Sequence, residues 1–207
     1  MLESIEYSFL NRVATIEALQ EFCLDAKERK AVRITVPPLF VKKAKEELGD
    51  SLLKISTVIG YPFGWSPIEA KVAETILALV DGADGLEIVV NITALKNNDW
   101  QYLAKEINTL LTIIRKQQKE VCFVIEANLL SNEEITRCCD LYGLAGIDCI
   151  GLSTGVEKVL PSIELVNSVR RQLAEQVAIK VTGENINDST VEAFHAAGAK
   201  RIGLIVK

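Results

Sequence analysis

Eight short apolar runs, separated by longer stretches with helical spacing, limit what this chain can fold into. The runs are SIEYSF (4–9), AVRITV (31–36), LKISTVIG (53–60), LEIVVNI (86–92), EVCFVIEA (120–127), IDCIGLS (147–153), VAIKV (177–181) and RIGLIV (201–206). They are rich in Val and Ile and bounded by turn residues, as strands are. Several are almost continuously apolar, which marks strands buried on both faces of a parallel sheet. Helical patterns fill the intervals at 15–29, 38–49, 66–82, 97–117, 131–144, 160–173 and 187–198. In the third, Ser66 is placed to cap the start, with Pro67 just inside and Gly82 after the end.

Regular alternation of strand and helix implies right-handed crossovers and a parallel sheet. Eight units favour a closed (β/α)8 barrel in one domain over residues 1–207, with its site at the C-terminal ends of the strands. An open doubly wound sheet is the main alternative, but it usually carries a Gly-rich first βα turn, and this chain has neither GxGxxG nor a P-loop. The last run ends almost at residue 207, so a full eighth helix is not expected.

The 207 residues are 49% hydrophobic and 25% charged, with a net charge of −5 and interspersed signs, so no basic face points to nucleic acid. No apolar run reaches the roughly 18 residues of a membrane span. The start, MLESIEYSFLNR, has no basic region of the kind that opens a signal peptide. The five cysteines include an adjacent pair and no CxxC, which argues against disulfides or a zinc knuckle. Together these features point to a cytoplasmic protein with no membrane partner.

Few residues near the strand ends can do chemistry. Lys180 stands in the apolar run VAIKV, where burial would lower its pKa toward a nucleophilic amine. A structural ion pair is the plain alternative. Glu87 lies in LEIVVNI and Glu126 ends EVCFVIEA. If Glu87 and Lys180 point into one barrel they can pair, to orient a catalytic lysine or only to neutralise two buried charges. Asn91 and Asn128 end their strands and suit either hydroxyl binding or turn formation. The single histidine, His195, falls within a helix and reads as packing or surface. With no HExxH or CxxC cluster, no metal and no cofactor is expected. Trp65 and Trp100 stand at helix starts beside strand ends, Trp65 as a candidate for a pocket mouth.

The segments VIGYPFGWSPIEAKVAE (58–74), GADGLEIVVNITAL (82–95), FVIEANLLSNEEI (123–135), AGIDCIGLSTG (145–155), VAIKVTG (177–183) and AGAKRIG (197–203), in that order, resemble the deoxyribose-phosphate aldolase family. The resemblance implies a class I aldolase barrel that needs no metal, a cytosolic location and, often, an oligomer. It also implies a small carbonyl or sugar substrate in deoxyribonucleotide catabolism. The family reaction is reversible cleavage of 2-deoxyribose 5-phosphate to glyceraldehyde 3-phosphate and acetaldehyde.

In that family a lysine on the sixth strand forms a Schiff base with the aldehyde. The corresponding position here is Gly151, followed by Leu152, Ser153, Thr154 and Gly155. A second family lysine corresponds to Lys180, and the family's aspartate corresponds to Glu87. The resemblance makes Lys180 and Glu87 the catalytic candidates. It makes Ser153, Thr154, Gly155, Gly183 and Gly203 the substrate-binding ones, and Asn91 joins them from its place at a strand end. The family holds its phosphate on a Gly–Gly pair and a Gly–Thr/Ser–Ser stretch. Here those positions read Gly183–Glu184 and Gly203–Leu204–Ile205. Nearer the N-terminus, Glu6, Thr35 and Pro37 also depart from the pattern. Three readings follow: aldol chemistry with Lys180 as the nucleophile, a non-catalytic ligand-binding or regulatory barrel, or a different lyase working through Lys180 and Glu87.

Overall fold

A computed structural model describes residues 5–206. Its eight strands close a parallel barrel in sequence order, with β8 pairing back onto β1. The strands are β1 (Ile5–Ser8), β2 (Arg33–Val36), β3 (Lys54–Ile59), β4 (Gly85–Val89), β5 (Glu120–Val124), β6 (Cys149–Gly151), β7 (Ala178–Gly183) and β8 (Arg201–Ile205). The helices are α1 (Ile16–Glu28), α2 (Val41–Leu48), α3 (Ile68–Val80), α4 (Ile92–Lys96), α5 (Trp100–Lys116), α6 (Asn132–Leu144), α7 (Ile163–Gln172) and α8 (Asp188–Ala196). Residue 4 of the first expected strand lies outside the described residues.

The period-two alternation of strand side chains sorts them into two cores. One set, including Ile34, Ile55, Leu86, Phe123, Ile150, Ile179 and Ile202, is buried against the helices. Phe123, for example, packs on Tyr142 of α6 with ring centroids 5.1 Å apart. The alternate residues, among them Glu6, Thr35, Glu87, Cys122 and Lys180, fill the barrel. This explains the near-continuous apolar runs, since both faces of most strands are covered.

Helix starts follow local capping chemistry. Ser131 and Glu134 form a capping box at α6, and Thr15, Ser162 and Asn187 cap α1, α7 and α8. Ser66 does not cap α3. Pro67 occupies the cap position with extended ψ, and its carbonyl accepts from the Ala70 and Lys71 amides. The helix therefore begins one step later than the sequence pattern suggests.

The expected strand at 86–92 also stops early. Asn91 accepts the Ala94 amide at 3.0 Å and opens the short helix α4, which shares the β4–β5 connection with α5. Eight helices therefore occupy seven connections, and none follows β8 among the described residues.

One interior contact lies between barrel and helices. Lys71 of α3 and Glu106 of α5 are fully buried, pair at 2.7 Å, and Lys71 Nζ also donates to the Val89 carbonyl at 2.7 Å. Desolvation lowers the Lys71 pKa and raises that of Glu106, so both are pushed toward their neutral forms.

Candidate active site

The barrel interior is divided by chemistry. Val89, Cys122, Val124 and Cys149 form an apolar patch on β4–β6. The other side carries charge. Lys180 Nζ donates to Glu87 Oε1 at 2.5 Å and pairs with Glu6 Oε2 at 2.7 Å. Arg201 Nε reaches Glu6 Oε1 at 2.5 Å, and Arg33 Nε lies 3.6 Å from the same oxygen. Arg33 continues to Glu120 at 2.5 Å, and Glu120 pairs with Lys54 at 2.6 Å. Thr35 Oγ1 donates to Glu87 Oε1 at 2.8 Å.

Lys180 is only 1% exposed. Burial alone would lower its pKa, but the carboxylates of Glu6 and Glu87 more than offset this and hold it above the ordinary lysine value. For Glu6, desolvation opposes ionisation, yet Lys180 and Arg201 win and depress its pKa to about 2. Lys180 thus sits between two carboxylates, an arrangement that favours its ammonium form.

Gly151 pairs with Lys180 across β6 and β7. A Cβ at Gly151 would lie 2.8 Å from Val124 Cγ2 and 3.4 Å from Cys122 Sγ. The apolar patch therefore fills the space a side chain on this strand would need. Above Glu87, the void bounded by Val58, Tyr61, Val89, Val124 and Ser153 is about 10 Å³, room for at most about one water.

A larger cavity of about 810 Å³ opens at the C-terminal mouth, lined by Asn11, Arg12, Pro37, Tyr61, Phe63, Lys158, Glu184 and Ile205 among others. Lys180 and Glu87 do not line it. Desolvation raises the Tyr61 pKa to about 12, so its hydroxyl stays protonated.

The remaining sequence candidates divide between this mouth and internal bonding. Gly155 lines the mouth. Ser153 Oγ donates to the Thr182 carbonyl at 2.7 Å and accepts its amide at 3.0 Å. Thr154 donates through its amide (2.9 Å) and hydroxyl (2.5 Å) to Glu126 Oε2. Gly203 sits inside the barrel, where a Cβ would meet Lys180 Cε at 3.0 Å. Asn91 caps α4, and Asn128 donates to the Val159 carbonyl at 2.8 Å. His195 lies in α8 with Nδ1 2.7 Å from the Ala199 carbonyl. Trp100 opens α5, under the Arg137 guanidinium at 4.5 Å. Trp65 precedes α3 in a loop and stacks on Phe63.

Hydrocarbon closes over two of the glycine candidates, Gly155 and Gly183. A Cβ at Gly155 would lie 2.2 Å from Ile205 Cδ1, and one at Gly183 2.3 Å from Leu160 Cδ2. Glu126 is buried with left-handed backbone (φ 47°), and its Oε1 has no hydrogen-bond partner among the described residues. Burial raises its pKa above the usual carboxylate value.

Sequence reasoning missed Arg201, Arg33 and the pairing role of Glu6. Their signal is positional, because each stands on the inward-facing phase of its strand. Among the described residues no group of three or more His, Cys, Asp or Glu is placed to hold a metal ion, and no helix is long and apolar enough to cross a membrane.

No protein-family model matches the chain. Curated relatives do. The deoxyribose-phosphate aldolase of Aciduliprofundum boonei is 33% identical over 96% of this chain and 90% of its own length. That of Thermococcus gammatolerans is 34% identical over 96% and 89%. Among solved structures, the aldolase QR15 superposes with a TM-score of 0.90 at 26% identity, covering 98% of this chain and 90% of that one. A tetrameric deoxyribose phosphate aldolase from Aeropyrum pernix gives 0.89 at 22% identity, covering 98% and 85%, a likeness of fold.

Proposed function

The chain belongs to the deoxyribose-phosphate aldolase family, and on that premise we propose that it is a non-covalent ligand-binding barrel that does not run the Schiff-base cleavage. The ligand is a small sugar or carbonyl compound held at the C-terminal mouth. The observation that carries this reading is the state of Lys180, whose Nζ lies between Glu87 (2.5 Å) and Glu6 (2.7 Å) with its charge favoured.

Attack on an aldehyde needs an unprotonated amine with a lone pair aimed at the carbonyl carbon. Lys180 has neither the protonation state nor the space, since the void beside Glu87 is about 10 Å³. Gly151 supplies no amine in its place. General acid–base work by the Lys180–Glu87 pair meets the same obstacle of access. The mouth cavity has the size and mixed lining of a ligand site.

The second reading, aldol turnover through Lys180, draws its support from family membership. One assay separates the two. Purified protein is incubated with 2-deoxyribose 5-phosphate and acetaldehyde release is followed with a coupled dehydrogenase. The binding-barrel reading expects no release above a protein-free control, together with thermal stabilisation by at least one sugar or aldehyde. Release that disappears in Lys180→Ala would overturn it. Cytoplasmic location and self-association, the latter in line with the tetrameric relative, belong to the same proposal.

A further inference from the structure

The mouth also carries information about the ligand's chemistry, on the premise that it binds without covalent attachment. We propose that it takes a molecule with a flat ring carried on a hydroxylated fragment, the ring stacking on Phe63.

The first support is the lining of the mouth. The Ile205 and Leu160 side chains close over Gly155 and Gly183, so hydrocarbon forms part of the wall. Asn11, Arg12, Lys158 and Glu184 supply its polar part. Such a mixed lining suits a molecule with one apolar face and one hydroxylated end.

The second support is the aromatic pair at the rim. Phe63 lines the cavity and is 46% exposed; Trp65 is 64% exposed. Their rings stack at 4.6 Å with planes 24° apart. The loop that presents the pair packs closely on the segment after β4. Gly64 has φ +69° and lies so close to the Val90 carbonyl that a Cβ would be 2.0 Å from its oxygen. The Gly64 amide donates to the Gly60 carbonyl at 2.8 Å. A half-exposed aromatic surface beside a cavity is suited to stack a planar ring. The protonated Tyr61 hydroxyl, with Asn11 and Arg12, offers donors for hydroxyl or carbonyl oxygens on the rest of the ligand.

The third support is size. A cavity of about 810 Å³ lies within the ~300–1,000 Å³ of sites that enclose ring-bearing ligands.

Titration calorimetry tests this with three probes: 2′-deoxyadenosine, 2-deoxyribose and 2-deoxyribose 5-phosphate. The proposal expects 2′-deoxyadenosine to bind at least about ten-fold more tightly than either sugar, as loss of one stacked ring implies. Phe63→Ala and Phe63→Leu should each lose about ten-fold in affinity for it, and Phe63→Tyr should keep it. The leucine variant separates ring stacking from simple apolar contact, and circular dichroism checks that each variant folds. No binding of 2′-deoxyadenosine, equal or tighter binding of 2-deoxyribose 5-phosphate, or an unchanged Phe63→Leu variant would overturn the proposal. These outcomes are distinct from failure of the underlying reading. Preferred, non-covalent binding of the phosphorylated sugar would sink only the ring proposal, whereas acetaldehyde release dependent on Lys180 would sink the non-catalytic reading itself.

Discussion

Replacing Lys180 with methionine keeps most of the side-chain volume and deletes the charge. Glu6 would retain Arg201 at 2.5 Å, but Glu87 Oε1 would keep only the Thr35 hydroxyl at 2.8 Å of the contacts described. Lys180, Glu6 and Glu87 are 1%, 3% and 6% exposed, so water cannot replace the lost ammonium. Removing one partner from such a buried pair costs ~3–5 kcal/mol. In a chain of this size that lowers Tm by about 6–20 °C. Urea unfolding followed by circular dichroism measures the cost. In a Glu87→Gln background the same lysine substitution should cost less, by an interaction energy of ~0.5–3 kcal/mol. A variant within ~1 kcal/mol of wild type, or an equal loss in both backgrounds, would refute the clamped-ammonium description.

Other consequences follow from the same geometry. Gly151→Lys places a Cβ 2.8 Å from Val124 Cγ2. It should destabilise by ~1–3 kcal/mol in chemical denaturation, and Val124→Ala in the same chain should recover part of that loss. Glu6, with its pKa depressed to about 2 from 4.5, contributes stability that is present above pH 4.5 and lost as pH falls toward 2. That contribution is roughly 3 kcal/mol. Glu6→Gln should therefore flatten the acid limb of an unfolding-versus-pH curve. Lys71→Met should cost ~3–5 kcal/mol by stranding Glu106, whereas Lys71→Met with Glu106→Leu should return close to wild type. Thermal unfolding of the three proteins checks this.

How far the sequence carries depends on which interaction decides each feature. The barrel was legible because strand burial and helix periodicity act over many residues at once. Single boundaries were not, since they turn on local competition. Asn91 stops a pattern that looks like strand through residue 92 by capping α4, and Pro67 takes the cap position that Ser66 was placed to fill. The alternation that sets Lys180 and Glu87 inside one barrel could be read from their phase along β7 and β4. The pairing of Lys180 with Glu6 could not, because Glu6 lies on β1, which comes near β7 only when the barrel closes onto β8. Leu160 over Gly183 was hidden for another reason. It comes from the connection between β6 and α7, where no periodic pattern fixes the direction of a side chain. The Lys71–Glu106 pair looks like two exposed helix charges until α3 and α5 are packed together.

The central claim is that Lys180 is a structural ammonium and not a nucleophile. Borohydride reduction in the presence of acetaldehyde, and separately of 2-deoxyribose 5-phosphate, followed by peptide mass mapping, tests it most directly. A family member with the strand-six lysine serves as the positive control. The account predicts no reduced adduct on Lys180 under conditions that label the control fully. A near-stoichiometric adduct on Lys180, absent from surface lysines, would contradict it.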